Sequence, residues 1–591
     1  MRLNKPIVAV STVALLALAA CGGSGGGGGT PGGQPTDTFK EGGGSGQGTD
    51  PTRNEGPAPE IEGAQEGGTV KVISFAGLNS MDPSEAYYTN TIAILQQLVT
   101  RSLTQFVYDE ESGDVILIPD LATDLGSPNE DFTEWEFTIR PGVRYENGQE
   151  VTADDVAFGI KRSFDRASFP EGAAYSNDYF VDGDTYEGPY KNKGDDYKGI
   201  VVDGDTLTLK MRKPFPDMAY WGSFPAIGPI PEGDASDPAK YSQHPWATGP
   251  YMFDEYTPEK SLTLVKNPEW DAASDPGRHQ YVDGYEMQFD VATPKIDQIM
   301  LQDEGEAKNT VSFDSVSAPN YLQFKQDASD RLLFGSEPCT FMWYPDYRQI
   351  KDINVRKALA YAYPYKDAYA ASGAIEGVTR IPGTNIMPPG IPGREEFNPL
   401  PDHEKGATDA AKAKELLTEA DALGFEIKFL YATDDTASVD TQKVISAALE
   451  QAGFKATPVA STIADSSTTR ADPSADINVR SGGWCSDWPS GGSWFPPVFE
   501  TTDLDKEGLG ANYAVFSEPA VDKRIAEIQE LDLKEQPAAW NELDQTIQAD
   551  YFPVFVTSYG GAALMRGSNV NNAFIDPTFG MPTLKDMWLT Q

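Results

Sequence analysis

Few side chains in this chain could carry out covalent chemistry, and their spacing keeps them apart. Histidine occurs only at His244, His279 and His403. No two of them stand two or four positions apart, so the paired ligand spacing of a zinc site is missing and no metal is expected. A Ser-His-Asp relay is equally poorly supported. The glycine run 22–29 lacks the lysine and the flanking strand and helix of a phosphate loop, so nucleotide hydrolysis is not encoded. The three cysteines are more informative. Cys21 follows Leu18-Ala19-Ala20 at the end of an apolar run that begins at Ile7, behind basic Arg2 and Lys5. Residues 1–20 thus read as a secretory signal peptide, too short to cross a bilayer as a helix. Everything beyond lies outside the cytoplasm, where Cys339 and Cys485 form an even pair in an oxidising compartment. A bond between them would close a loop of about 146 residues, worth at most about 5 kcal/mol by chain entropy. Spacing alone leaves open whether the two thiols meet.

These residues sit in a chain of 591, long enough for two or three lobes with their own cores. Lys plus Arg number 46 against 90 Asp plus Glu, a net charge of −44. Charge of that sign repels phosphate backbones and anionic lipid, which argues against nucleic-acid binding. Aromatic residues make up 11%, which suits large cores or an aromatic-lined cleft. Residues 21–66 are Gly, Ser, Thr, Pro and Gln with scattered charge, too polar to fold. They are expected to be a disordered tether spanning on the order of 35–40 Å. From Gly67 onward the pattern becomes structured. Thr152-Ala153-Asp154-Asp155 reads as a capping box before Val156, Ile160 and Phe164 at helical spacing. Leu207, Leu209 and Met211 alternate as a half-buried strand after the turn at Asp203-Gly204-Asp205. Helices are expected over 409–423 and 439–452, stopped by Gly424 and Gly453, with strands at 427–431, 454–459 and 477–479. Two further helices over 518–531 and 538–550 precede a strand at 553–556. The interchange predicts an α/β chain with mixed sheets, with no internal repeat and no second membrane-length apolar run.

Several motifs then resemble known groups. The signal segment ending in Cys21 is similar to the lipobox of bacterial lipoproteins, which implies acylation of Cys21 and a lipid anchor to the cell membrane. An ordinary cleavage after Ala17-Leu18-Ala19 would instead leave a free thiol. Residues 67–72, Asn79-Ser80-Met81-Asp82-Pro83, Trp135 to Val143 with Asn147-Gly148 and 151–156, Thr248-Gly249-Pro250-Tyr251, Lys266 to Trp270, and Asn354 to Leu359 resemble, in order and spacing, family 5 solute-binding proteins of ABC importers. Gly483-Trp484-Cys485-Ser486-Asp487-Trp488 looks most like the cleft motif of their oligopeptide-binding members. By position, the resemblance implies that Asp487 anchors a peptide's α-ammonium and that Trp484 lines the cleft. It also implies a disulfide between Cys339, in its Cys-Thr-Phe context, and Cys485. A carboxylate enclosed in a cleft is costly unless paired, and a ligand ammonium supplies the partner. Trp488 is divided between a cleft wall and core packing. Some relatives carry an arginine where Ser481 stands. Arg480, one step away, faces the other side of a strand and is either a carboxylate receiver or a structural ion pair.

The resemblance implies a periplasmic-binding-protein type II-like α/β fold, two lobes on a hinge with an additional, cluster C-like subdomain. Lobe I would take 67–104, 241–338 and 561–591, the subdomain 105–240 and lobe II 339–560. It further implies an extracytoplasmic, lipid-anchored monomer that hands oligopeptides to an ABC permease and ATPase complex, needs no cofactor and is no enzyme. Another solute in the same fold (an oligosaccharide, opine, siderophore or metal chelate) and, remotely, a secreted hydrolase are the alternatives. A signalling role would be compatible with binding.

Overall fold

The capping box at Thr152 opens the helix Ala153–Arg162: the Thr152 hydroxyl accepts from the Asp155 amide, and the Asp155 carboxylate accepts from the Thr152 amide. Further along, Asp421 (φ +50°) and Gly453 (φ +98°) take the left-handed conformation that ends helices, so Gly453 stops its helix as expected while Asp421, not Gly424, ends the one before. They follow the helices Ala410–Glu419 and Thr436–Gln451 and lead into the parallel strands Glu426–Ala432 and Lys455–Ser461. The computed structural model describes residues 48–109, 114–191, 197–400, 402–502, 504 and 508–591. The signal segment 1–20, Cys21 and the tether up to residue 47 lie outside the described residues.

Three sheets organise the chain. A five-stranded sheet runs in the order Thr310–Ser312, Thr69–Ile73, Gly284–Gln288, Ser261–Lys266 and Tyr251–Thr257. Its first three strands are parallel and the rest antiparallel, the mixed character expected. Val70, Val72, Leu264 and Met287 bury their side chains there with Leu564, Leu584 and Leu589 from the end of the chain. A second, antiparallel sheet contains Glu134–Thr138, Thr206–Lys210 and Ile200–Asp203. It covers an aromatic core of Trp135, Phe137, Phe164, Tyr175, Phe215 and Trp221. The third sheet has the order Arg380–Ile381, Phe555–Met565, Leu332–Pro345 and Val479–Cys485, all antiparallel.

The two long strands of that third sheet join the lobes. Leu333, Ala562 and Leu564 belong to the core of the five-stranded sheet. Met342, Tyr344, Val556 and Tyr559, on the same strands, pack in a separate core with Trp494, Phe495 and Trp540. Between these ends the ladder breaks: Ser336 pairs with Gly561 and Thr340 with Tyr559, so Glu337, Pro338 and Cys339 stand opposite Gly560 alone. Such a bulge disrupts pairing and bends the strand, here where the chain passes from one core to the next.

Residues 48–66 correct the expectation of a free tether as far as 66. Thr49 bridges to Leu117, the Asp50 amide donates to the Leu117 carbonyl at 3.0 Å, and the Ile61 amide reaches the Tyr281 hydroxyl at 3.3 Å. Ala58 is buried. Low hydrophobicity prevents a core of its own but does not prevent docking, because the body supplies the hydrogen bonds that the segment cannot make internally.

A buried ion network joins Arg101 and Asp120 to the sequence-distant segment 275–278. Arg101 pairs with Asp120 at 2.7 Å, and Arg278 pairs with Asp120 at 2.9 Å and Asp275 at 3.1 Å. Burial alone would raise the Asp275 carboxyl, but Arg278 and Arg101 hold it well below the usual carboxylate range. Its contribution is therefore complete above the unfolded value near pH 4 and is lost as acid approaches the folded value. Asp275→Ala leaves two buried guanidiniums to share the single carboxylate of Asp120. We expect a loss of about 3–5 kcal/mol, seen as a fall in the urea midpoint of circular dichroism; an unchanged midpoint would show the network to be dispensable.

Candidate ligand-binding cleft

The strand Val479–Cys485 is the edge of its sheet. Its register aligns Cys339 with Cys485, Phe341 with Gly483 and Trp343 with Ser481. The Ser486 amide donates to the Pro338 carbonyl at 2.8 Å, so the even-numbered residues face their neighbour strand. By the alternation of an antiparallel ladder, the amide and carbonyl groups of Gly483 and Cys485 then point to the open edge. Ser481, Gly483 and Cys485 are exposed, and the Ser481 carbonyl already takes an outside donor, Arg470 Nη1 at 3.3 Å. Two adjacent glycines leave this edge clear of side chains.

The disulfide Cys339–Cys485, implied by resemblance, is formed. It locks the end of the edge strand to the bulge in its neighbour and so fixes the start of segment 486–490. Two residues on stands Asp487. Its Oδ2 accepts from the Tyr87 hydroxyl at 2.9 Å and from the Tyr175 hydroxyl. The three residues come from distant parts of the chain: Tyr87 follows the Met81-Asp82-Pro83 segment, and Tyr175 opens the short helix Tyr175–Tyr179 on the aromatic core. No Lys, Arg or His pairs with Asp487 among the described residues. Burial pushes its carboxyl up to about 6, and the two tyrosine hydrogen bonds only partly oppose it. Burial, with the Asp487 charge behind it, raises both tyrosines well above their ordinary value, so both stay protonated and donate.

The other candidates separate cleanly. Trp484 is half-buried on the edge strand, its Nε1 donating to the Ser493 carbonyl at 2.7 Å. Trp488 is buried in the aromatic core of the 105–240 region, with its ring centroid 4.5 Å from that of Tyr175 and its Nε1 on Asp217 Oδ2 at 2.8 Å. Of its two readings, core packing is the one found. Arg480 is fully buried, pairing with Asp346 at 3.2 Å and donating to the carbonyls of Arg470 and Asp472. The structure makes it a structural ion pair, for the reason of facing anticipated, and it is withdrawn as a carboxylate receiver. Tyr87, Tyr175 and Asp217 escaped sequence reading, since they lie hundreds of positions from the motif they serve and carry no local signature. His279 is held by Asp586 at 2.6 Å and the Pro59 carbonyl at 2.9 Å, leaving neither ring nitrogen for a nucleophile. Among the described residues no group of three or more His, Cys, Asp or Glu could hold a metal ion, and no helix is long and apolar enough to cross a membrane.

Residues 117–506 match the family described as bacterial extracellular solute-binding proteins, family 5, middle region. The chain belongs to that family. This family 5 protein is 22% identical over 464 residues to the periplasmic oligopeptide-binding protein OppA of Salmonella typhimurium, covering 74% of this chain and 79% of the relative. The Escherichia coli OppA is 22% identical over 449 residues, with the same shares. Among solved structures, clavulanic acid biosynthesis oligopeptide binding protein 2 superposes with a TM-score of 0.81 at 21% identity, covering 89% of this chain and 96% of that one. DppA from Helicobacter pylori, in complex with the peptide STSA, superposes at 0.66 and 17% identity over 89% and 99%. These structural likenesses bear out the two-lobe α/β fold expected for the family 5 chain.

The Asp487 arrangement gives a direct check. Replacing Tyr87 and Tyr175 together by Phe removes both donors and leaves burial unopposed. The Asp487 carboxyl should then titrate higher than its value near 6, as read by carbon-13 NMR of the unliganded protein; an unmoved midpoint would show that the hydroxyls do not hold the charge.

Proposed function

We propose that this family 5 protein binds oligopeptides between its two lobes, with the peptide's α-ammonium on Asp487, and delivers them to an ABC importer. The observation that carries the reading is a carboxylate walled in by two tyrosines with no cation beside it. Such a group is incomplete until an ammonium neutralises it and adds charge-assisted hydrogen bonds. The outward amide and carbonyl groups of Gly483 and Cys485 supply the second half of the reading. An extended peptide can add there as a further strand, gaining main-chain hydrogen bonds without sequence demands, while side-chain pockets tune preference. Relatives named as oligopeptide-binding support the same ligand class.

In this reading, lobe I comprises 67–104, 241–338 and 561–591, lobe II 339–560, and 105–240 is the added subdomain that supplies Tyr175. The two long strands are the hinge, and closure about them encloses the ligand. The protein acts as a monomer without cofactor and breaks no bond. Acylated Cys21 holds it at the outer surface of the cell membrane, with a tether shortened by the docking of residues 48–66.

Asp487→Ala should weaken peptides with free amino termini at least tenfold in titration calorimetry, and N-acetylated peptides far less, since removing one partner of such a pair costs about 2–5 kcal/mol. Equal losses for both would remove Asp487 from this role, and purified protein carrying sugars or chelates instead of peptides would overturn the ligand class. The pH dependence has a definite sign. The ammonium needs an ionised Asp487, whose carboxyl is pushed up to about 6. Affinity for free-amino peptides should be level between about pH 6.5 and 7.5 and fall roughly tenfold per unit below 6. N-acetylated peptides should show no such fall in the same titrations.

A further inference from the structure

The bulge in the strand Leu332–Pro345 leaves Glu337 opposite Gly560, out of the ladder. Its carboxylate lies directly over that glycine: a methyl group on Gly560 would stand 2.5 Å from Glu337 Oε2, and one on Gly580 would stand 2.8 Å from its Cγ. Two glycines therefore make the notch that holds this side chain. Gly560 in turn pairs with Arg380 on the outer strand Arg380–Ile381. The Arg380 guanidinium stacks on Phe341 at 4.0 Å and gives one hydrogen bond, from Nη1 to the Thr379 carbonyl at 2.8 Å. Both charged residues are half-buried. Burial raises the Glu337 carboxyl, with Arg380 opposing, and lowers Arg380, with Glu337 opposing. The two sense each other, yet no ion pair or hydrogen bond joins them, and Glu337 accepts none from any described residue. Glu337 precedes Cys339 by two positions and Asp487 follows Cys485 by two, so both acids flank the same disulfide.

We propose that Glu337 and Arg380 form a side-chain subsite for one of the first two residues of the bound ligand, selecting an uncharged side chain that donates and accepts at once, a carboxamide. This rests on the peptide reading of the same cleft. Glu337 lacks a donor and Arg380 keeps N–H groups beyond the one on the Thr379 carbonyl, and an Asn or Gln side chain supplies both a donor and an acceptor. A cationic side chain satisfies Glu337 but meets Arg380, and an anionic one meets Glu337. The pair thus rejects either charge by the same electrostatics that would welcome it were one member absent.

The test uses full-length protein and free-amino tetrapeptides Xaa-Ala-Ala-Ala and Ala-Xaa-Ala-Ala, with Xaa as Gln, Leu, Lys or Glu, in calorimetric titration. Gln should bind at least tenfold tighter than Lys and Glu at one of the two positions. Glu337→Gln should make Glu the preferred charge over Lys at that position by tenfold or more, and Arg380→Gln should make Lys preferred. Glu337→Ala and Arg380→Met, checked by thermal midpoint, provide the same reversals should either Gln variant fold poorly. An order of Gln, Lys and Glu untouched by either substitution, while tetra-alanine still binds, overturns the subsite alone. Failure of every tetrapeptide to bind the unaltered protein overturns the peptide reading and the subsite with it.

Discussion

The arrangement of this protein turns on a partly buried charge with no counter-charge beside it among the described residues. Asp487 receives two hydroxyl hydrogen bonds and nothing cationic, and its carboxyl is raised accordingly. Three separate devices hold it there. The disulfide fixes the strand end that precedes it, Trp488 seats the residue that follows it in another core, and Tyr87 and Tyr175 close in from two further stretches of chain. None of these devices lowers the cost of the buried carboxylate as a cation would.

The same region is where the cores of the two lobes meet. Two long strands belong to both cores, and their ladder fails at residues 337–339. The bulge frees Glu337 from the pleat on one side, while on the other side regular register sets Cys339 against Cys485. The edge strand is pinned only on one side, so its other side stays available. Stiffness at the disulfide and interrupted pairing at the bulge thus lie within a few residues of each other, the stiff part leading to Asp487 and the bent part passing from one core to the next.

Much of this was legible in the sequence. The capping box at Thr152, the helix ended by Gly453, and the strands at 426–432 and 455–461 depend on nearest neighbours and came out where expected, whereas the helix expected as far as 423 ends at Glu419, with Asp421 rather than Gly424 in its left-handed turn. The strand expected at 477–479 instead runs over Val479–Cys485, because its exposed glycines carry no alternation to read. Tyr87 and Tyr175 meet Asp487 only through tertiary folding, 400 and 312 positions away, and no local pattern marks a tyrosine as a carboxylate donor. Arg480 was ambiguous because facing depends on register, which a partner strand sets. Residues 48–66 looked unstructured because composition reports the capacity to build a core and says nothing about lying against one built by others.

Trp488 has a consequence for motion. Its indole leaves the segment that follows the edge strand and is packed among Tyr175, Phe215 and Phe224, with its nitrogen held by Asp217. Any parting of these surfaces must withdraw that ring, wetting on the order of 150–250 Å² of aromatic area and stripping Asp217 of a donor. At about 25 cal/mol per Å² this amounts to several kcal/mol, a latch that resists any parting of these surfaces.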